Sequence, residues 1–213
     1  HIAEWTPEYH LHEMAPRVRV TIEDRDVCLR AWCYVVTGSS GYTVPVLLLD
    51  SDVPENRSED RRITDQLYGG DDRDRLMQEM VLGVGGVRLL HAIGCSGIQT
   101  WHLNEGHAAL APLELLRMEN AADGWDFRGI RNRTVFTTHT PVAAGHDQFD
   151  RDLARRVLGP LAPSGVVAML GGSERLNMTT LALNLSHYVN GVALRHREVS
   201  TTMFPAYEIH QIT

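Results

Sequence analysis

Two short apolar runs, residues 98–103 and 134–138, each end in a knot of polar side chains and pass into a stretch of different periodicity. The knots are Trp101-His102-Leu103-Asn104-Glu105-Gly106-His107 and Phe136-Thr137-Thr138-His139-Thr140-Pro141. Strands that alternate with helices in this way restrict the chain to an α/β architecture. The expectation is a parallel sheet with helices on both faces. Its polar knots then fall at the C-terminal edge, where open α/β sheets bind ligands.

Around this core the periodicity predicts the remaining elements. Residues 17–22 and 27–36 read as strands about a charged turn, and the near-continuous apolar run 42–49 as a strand covered on both faces. This meander is expected to extend the parallel sheet in antiparallel fashion. Residues 51–71 read as a long surface loop. Leu76, Met80, Val84 and Val87 recur at helical spacing, predicting a helix over 72–93 with Gly83, Gly85 and Gly86 inside it. Glycine there costs about 1 kcal/mol against Ala, so a second backbone is expected to pack closely at that point. Helices follow over 106–118, over 150–158 with Asp150 as N-cap, over 177–188 with Asn177 as N-cap, and over 194–203, while Val189-Asn190-Gly191-Val192 reads as a short strand or as the turn that ends the third of these helices. Residues 161–175 read as a linker and 207–212 as a last strand.

Composition removes several function classes. Hydrophobic residues make up 43% and charged residues 22% of the 213, ordinary globular values. A net charge of -7 gives no electrostatic support to nucleic-acid or anionic-membrane binding. No apolar run approaches the ~20 residues needed to span a bilayer. All 20 basic residues are arginine. Without lysine, neither a Walker loop nor a Schiff base can form. Cys28, Cys33 and Cys95 have no zinc-ligand spacing and read as reduced thiols of a cytoplasmic protein. The chain lacks an initiator Met, and both ends read as cut, so it is expected to be a piece of a longer protein.

The chemistry concentrates in the two knots. Asn104, Glu105 and His107 offer an amide, a carboxylate and an imidazole within one turn at a strand-to-helix junction, a set suited to several sugar hydroxyls at once. A capping Asn104 and a structural His107 form the alternative. His139 is delivered to the same edge by the next strand, and the small-residue loop Ala143-Ala144-Gly145-His146-Asp147 lets a ligand approach the backbone. His102, Glu105, His107 and His146 could be drawn as a metal site, but no pair has the helical spacing of zinc-binding motifs, so no metal is expected. Leu82-Gly83-Val84-Gly85-Gly86 lies within a helix rather than after a strand, against a dinucleotide loop.

These strings, taken together, are similar to the short bacterial and archaeal branch of the α-glucan phosphorylases. The resemblance is carried by Asp52-Val53-Pro54-Glu55-Asn56, by Arg61-Arg62-Ile63-Thr64-Asp65-Gln66-Leu67-Tyr68-Gly69-Gly70-Asp71, by Arg75-Leu76-Met77-Gln78-Glu79, by His102-Leu103-Asn104-Glu105-Gly106-His107-Ala108-Ala109, by Val135-Phe136-Thr137-Thr138-His139-Thr140-Pro141-Val142, by Ala144-Gly145-His146-Asp147, and by Asn177-Met178-Thr179 and Tyr188-Val189-Asn190-Gly191-Val192. They occur in family order along nearly the whole chain.

The resemblance implies one half of a glycosyltransferase B fold: a single, partial, Rossmann-like N-terminal domain over 1–213, with an extended β region 1–50, the loop 51–71 and an α/β core 72–213. The C-terminal domain, which carries the lysine that binds pyridoxal phosphate, would be a separate partner outside this chain. The implied activity is release of glucose 1-phosphate from an α-1,4-glucan by inorganic phosphate, with a homodimer possible. His139 would be catalytic, its backbone carbonyl facing the developing positive charge at the anomeric carbon. Asn104, Glu105, His107, Thr138 and Asp71 would line the substrate, His107 chiefly by orienting its neighbours, and Tyr68 to Asp71 would border the entrance. The chain alone is expected to be inactive and to expose an apolar surface meant for the second domain. A synthase-like glycosyltransferase and a non-catalytic glucan-binding module are the alternatives.

Overall fold

The computed structural model describes residues 6–67, 69–120, 124–142 and 145–212. The chain opens with an antiparallel sheet. β1 (His12–Glu13) and β2 (Val18–Ile22) both pair with the long β3 (Arg25–Thr37), and β4 (Thr43–Asp50) pairs with the distal half of β3. Val18, Val20 and Ile22 alternate inward, as a half-buried strand requires. The tight turn between β2 and β3 places Glu23 and Asp24 at positive φ.

The run 42–49 corrects the sequence reading. It forms a strand, but Val44, Val46 and Leu48 are exposed. Among the described residues β4 is an edge that pairs only with β3, and its apolar continuity reflects an uncovered face rather than burial on both. The antiparallel strands also form a sheet of their own instead of hydrogen-bonding to the parallel one.

Residues 51–71 are mostly irregular, as expected of a long loop, yet they are firmly seated. Asp60 is buried and takes three hydrogen bonds from the Arg25 guanidinium. Asn56 pairs with both backbone groups of Cys28. The predicted helix over 72–93 runs as α1 (Asp72–Met80), one wide π-helical turn (Val81–Gly85) and α2 (Gly86–Ala92). Of its glycines, Gly83 alone meets the close backbone anticipated for them; Gly85 meets a side chain, and Gly86 has nothing within 4 Å of an added Cβ. A Cβ on Gly83 would lie 2.8 Å from the backbone nitrogen of Ala111, and one on Gly85 would lie 2.6 Å from Leu29 Cδ1. The wide turn coincides with both contacts.

The second half builds the parallel sheet. β5 (Trp101–Asn104), a single tight turn (Gly106–Ala108) and α3 (Leu110–Met118) are followed by α4 (Phe127–Asn132) and β6 (Thr134–Thr138). β7 (Gln148–Asp150) leads into α5 (Arg151–Leu158), where the Asp150 carboxylate caps the amides of Asp152 and Leu153. The stretch read as a linker contains α6 (Ser164–Gly171) and β8 (Arg175–Asn177), which pairs with β7 in a small antiparallel ribbon. The glycines and prolines that suggested a linker sit at the ends of these elements. Asn177 caps α7 (Met178–Asn184) through Thr180 N–H, as predicted. Asn190 and Gly191, for which the sequence leaves a strand and a helix-ending turn both open, lie in β9 (Tyr188–Gly191), a full sheet member. α8 (Leu194–Met203) and β10 (His210–Gln211) complete the chain. The parallel sheet runs β10-β9-β6-β5. One continuous apolar core, from Val18 to Ile209, underlies both larger sheets. Among the described residues no helix is long and apolar enough to cross a membrane, and all three cysteines are free thiols.

Candidate active site at the sheet edge

Register fixes which side chains share the C-terminal edge. Asn104 stands opposite Thr137, and Thr138 opposite Gly191, so the tips of β5, β6 and β9 lie side by side. The turn after β5 is tight enough to force Glu105 to φ +69, a conformation that favours glycine. What holds it there is the carboxylate. Its Oε2 accepts the His139 backbone N–H at 2.7 Å and the Thr140 hydroxyl at 2.9 Å. Its Oε1 takes the Gly106 N–H at 3.1 Å and faces the Thr138 hydroxyl at 3.5 Å. Glu105 is 7% exposed, so its hydrogen-bonding capacity is turned inward onto the loop that carries His139.

The predicted site residues therefore separate by position. Glu105 and His139 are brought together, and Thr138 is buried against the Glu105 carboxylate. Asn104 and His139 are exposed at the edge. His107 sits one turn on, with Nδ1 3.0 Å from Asp147 Oδ2 and 3.7 Å from Glu79 Oε1. Asp71 caps α1, accepting from Arg73 N–H and Asp74 N–H in a capping box. Tyr68, Ala143 and Ala144 lie outside the described residues.

Two polar groupings were missed from sequence. In the first, the His102 ring nitrogen Nε2 meets the Thr137 hydroxyl at 2.8 Å, and that hydroxyl donates to Asn190 Oδ1 at 3.0 Å, linking all three strand tips. The second joins α1 to the edge. Arg75 donates to Asp147 at 2.6 Å beside His107, and Glu79 is buried beneath them with neither carboxylate oxygen within hydrogen-bonding geometry of a donor among the described residues. Only a three-dimensional packing of α1 against the turn after β5 could reveal it.

The electrostatics follow from that packing. Burial pushes the Glu79 carboxyl up to about 8. Hydrogen bonding to Asp147, and then the Glu79 carboxyl 3.7 Å away, raises His107 to about 9. Burial pushes Asp147 upward, but its bonds to His107, Glu79 and Arg75 more than offset this and hold it at about 2. At neutral pH the group thus carries a protonated His107, an ionised Asp147 and a neutral Glu79. Nearby, burial lowers the pKa of His146, whose Nδ1 meets the Thr179 hydroxyl at 2.8 Å while Nε2 has no partner among the described residues.

Glu79, His107 and Asp147 present three possible ligand atoms within 4.8 Å of one another. The Arg75 guanidinium already occupies Asp147, which opposes a cation there.

No family model matches the chain. It is 39% identical over 183 residues to a glycogen phosphorylase of Mycobacterium tuberculosis, an alignment covering 76% of this chain and 21% of that protein. It is 38% identical over 218 residues to the maltodextrin phosphorylase of Thermococcus litoralis, covering 93% of this chain and 25% of the relative. A glycogen phosphorylase of Aquifex aeolicus is 32% identical over 198 residues, covering 87% and 28%. Over most of its length the chain is a relative of the glycogen and maltodextrin phosphorylases. This phosphorylase-like chain spans about a quarter of the length of the curated proteins it matches.

Proposed function

We propose that the chain forms the sugar-side wall of an α-1,4-glucan phosphorylase, one Rossmann-like half of a two-domain, glycosyltransferase B enzyme. The observation that carries this reading is the bond from the His139 N–H to the buried Glu105 carboxylate. It ties two parallel strand tips into one polar edge and leaves the His139 imidazole exposed above it. On this reading His139 binds a ring hydroxyl through its side chain, and its backbone carbonyl faces the anomeric carbon. A fixed carbonyl dipole there stabilises positive charge as the glycosidic bond breaks, without moving a proton. Asn104 supplies a further hydrogen bond to the sugar. Glu105 and Thr138 set the main chain from within, and His107 steadies Asp147 and the loop before β7.

Pyridoxal phosphate, the cofactor expected of the enzyme class, does not fit this chain as a covalent ligand, because none of the 213 residues is lysine. It would be held on the C-terminal domain, and no step within this chain runs through it. The test is glucose 1-phosphate production from maltodextrin and inorganic phosphate by a longer protein containing this chain, with and without pyridoxal phosphate. Cofactor-dependent product is the expected result. Turnover of a nucleotide sugar instead would replace this reading with the synthase-like one. Calorimetry of the chain with maltoheptaose, giving heat without turnover, would leave a binding module.

A further inference from the structure

The tips of β5, β6 and β9 carry polar residues in one register row. Asn104 stands opposite Thr137, and Thr137 opposite Asn190. Residues in register point to the same face of a sheet, so Thr137 lies between two amides. Thr137 and Asn190 are 6 and 3% exposed, and their polar atoms need partners inside the protein. One acceptor fixes the direction of every bond that follows. The Gly191 carbonyl can only accept, and it takes a hydrogen bond from Asn190 Nδ2 at 3.3 Å. Asn190 Oδ1 is thereby turned to Thr137, whose single hydroxyl proton it accepts at 3.0 Å. The Thr137 oxygen must then accept from His102 at 2.8 Å, so His102 carries a proton on Nε2. The donors run one way across the sheet, from β5 through β6 to β9.

We propose, resting on the role given to His139 above, that Thr137 and Asn190 are its positioning residues: they fix the tip of β6 so that the His139 carbonyl keeps one place against the sugar. Thr137 stands two residues before His139. Its carbonyl accepts the Glu105 N–H at 2.9 Å, and the Glu105 carboxylate accepts the His139 N–H at 2.7 Å. Glu105 therefore braces the tip from the β5 side. Asn190, through the Thr137 hydroxyl, braces it from β9 on the other side. A valine at 137 would fill nearly the same space and leave the backbone ladder intact, so the second brace is what the hydroxyl adds. A fixed dipole stabilises developing charge only from the right place, and a displacement of about 1 Å can cost about a hundredfold in rate.

The test places Thr137→Val, Thr137→Ser and Asn190→Leu in a longer protein containing this chain and measures glucose 1-phosphate made from maltodextrin and inorganic phosphate. Thr137→Val should lower kcat about ten- to a hundredfold and leave KM for maltodextrin within about twofold, because the brace acts on charge present only in the transition state. Asn190→Leu should do the same, and the double variant Thr137→Val/Asn190→Leu should be little worse than either. Thr137→Ser keeps the hydroxyl and should recover most of the loss. In the 213-residue chain itself, amide hydrogen exchange at His139 should quicken in Thr137→Val and not in Thr137→Ser. Far-ultraviolet circular dichroism checks that each variant is folded. An unchanged kcat in Thr137→Val, a serine no better than the valine, or a raised KM at constant kcat would overturn the proposal. Unaltered exchange at His139 would overturn it too, whatever the rates. Quickened exchange in a protein that makes no glucose 1-phosphate would uphold the brace on β6 and remove the sugar role of His139.

Discussion

Glu105 and Glu79 are both buried carboxylates, and their surroundings give them opposite characters. Glu105 satisfies backbone and hydroxyl donors on the loop that carries His139. Removing its side chain in Glu105→Ala would leave the His139 N–H and the Thr140 hydroxyl without their acceptor. A loss of about 2–4 kcal/mol in urea unfolding is expected, with faster amide exchange at His139. Relief of strain at φ +69 by Glu105→Gly would offset only a little of this. Glu79, by contrast, satisfies no backbone or hydroxyl donor among the described residues; it lies 3.7 Å from His107 and close to Asp147, and burial pushes its carboxyl up to about 8.

That difference fixes the sign of the pH dependence. The folded-state pKa of His107, about 9, lies above its ordinary 6.5, so its contribution is complete below 6.5 and is lost as pH rises through 9. Glu79, raised to about 8 from 4.5, also favours the protonated folded state and weakens the fold as pH rises toward 8. Asp147, lowered to about 2 from 3.8, stabilises above 3.8 and loses that as pH falls through 2. Thermal midpoints should therefore decline from about pH 4.5 to pH 9, more steeply above about 6.5 where His107 joins Glu79, and His107→Gln should flatten the upper part of the decline.

At the scale of elements, the glycines of the 72–93 helix separate by what surrounds them. Gly83→Ala would force a methyl group against the Ala111 backbone and should cost about 1–3 kcal/mol. Gly86 has helical φ, and a methyl group placed on it would meet nothing within 4 Å, so Gly86→Ala should stabilise by about 0.5–1 kcal/mol. Chemical denaturation of the two variants checks both signs. These elements also show what periodicity can carry. The 72–93 helix, the caps Asp150 and Asn177 and the strand at 134–138 were legible because each rests on local spacing or on one capping side chain. β4 was misjudged because an apolar run records hydrophobicity, not whether anything covers it. α6 and β8 were overlooked because glycine and proline at element ends resemble a linker. Within the site, the meeting of Glu105 and His139 followed from parallel strand order, whereas Glu79 showed only as one more residue on a helix.

For the molecule as a whole, the parallel strands follow one another across the sheet in chain order, and the ribbon of β7 and β8 is set into the connection between β6 and β9. The polar edge is assembled from stretches far apart in sequence, with Glu105 reaching residues 34 and 35 positions away and Thr137 bonded 53 positions on. Its geometry therefore exists only once the strands of the parallel sheet have paired. A chain with this layout can lengthen or exchange the turns leaving its strand tips while the interior stays untouched, so divergence among its relatives should gather in those turns and spare the buried carboxylate that braces them.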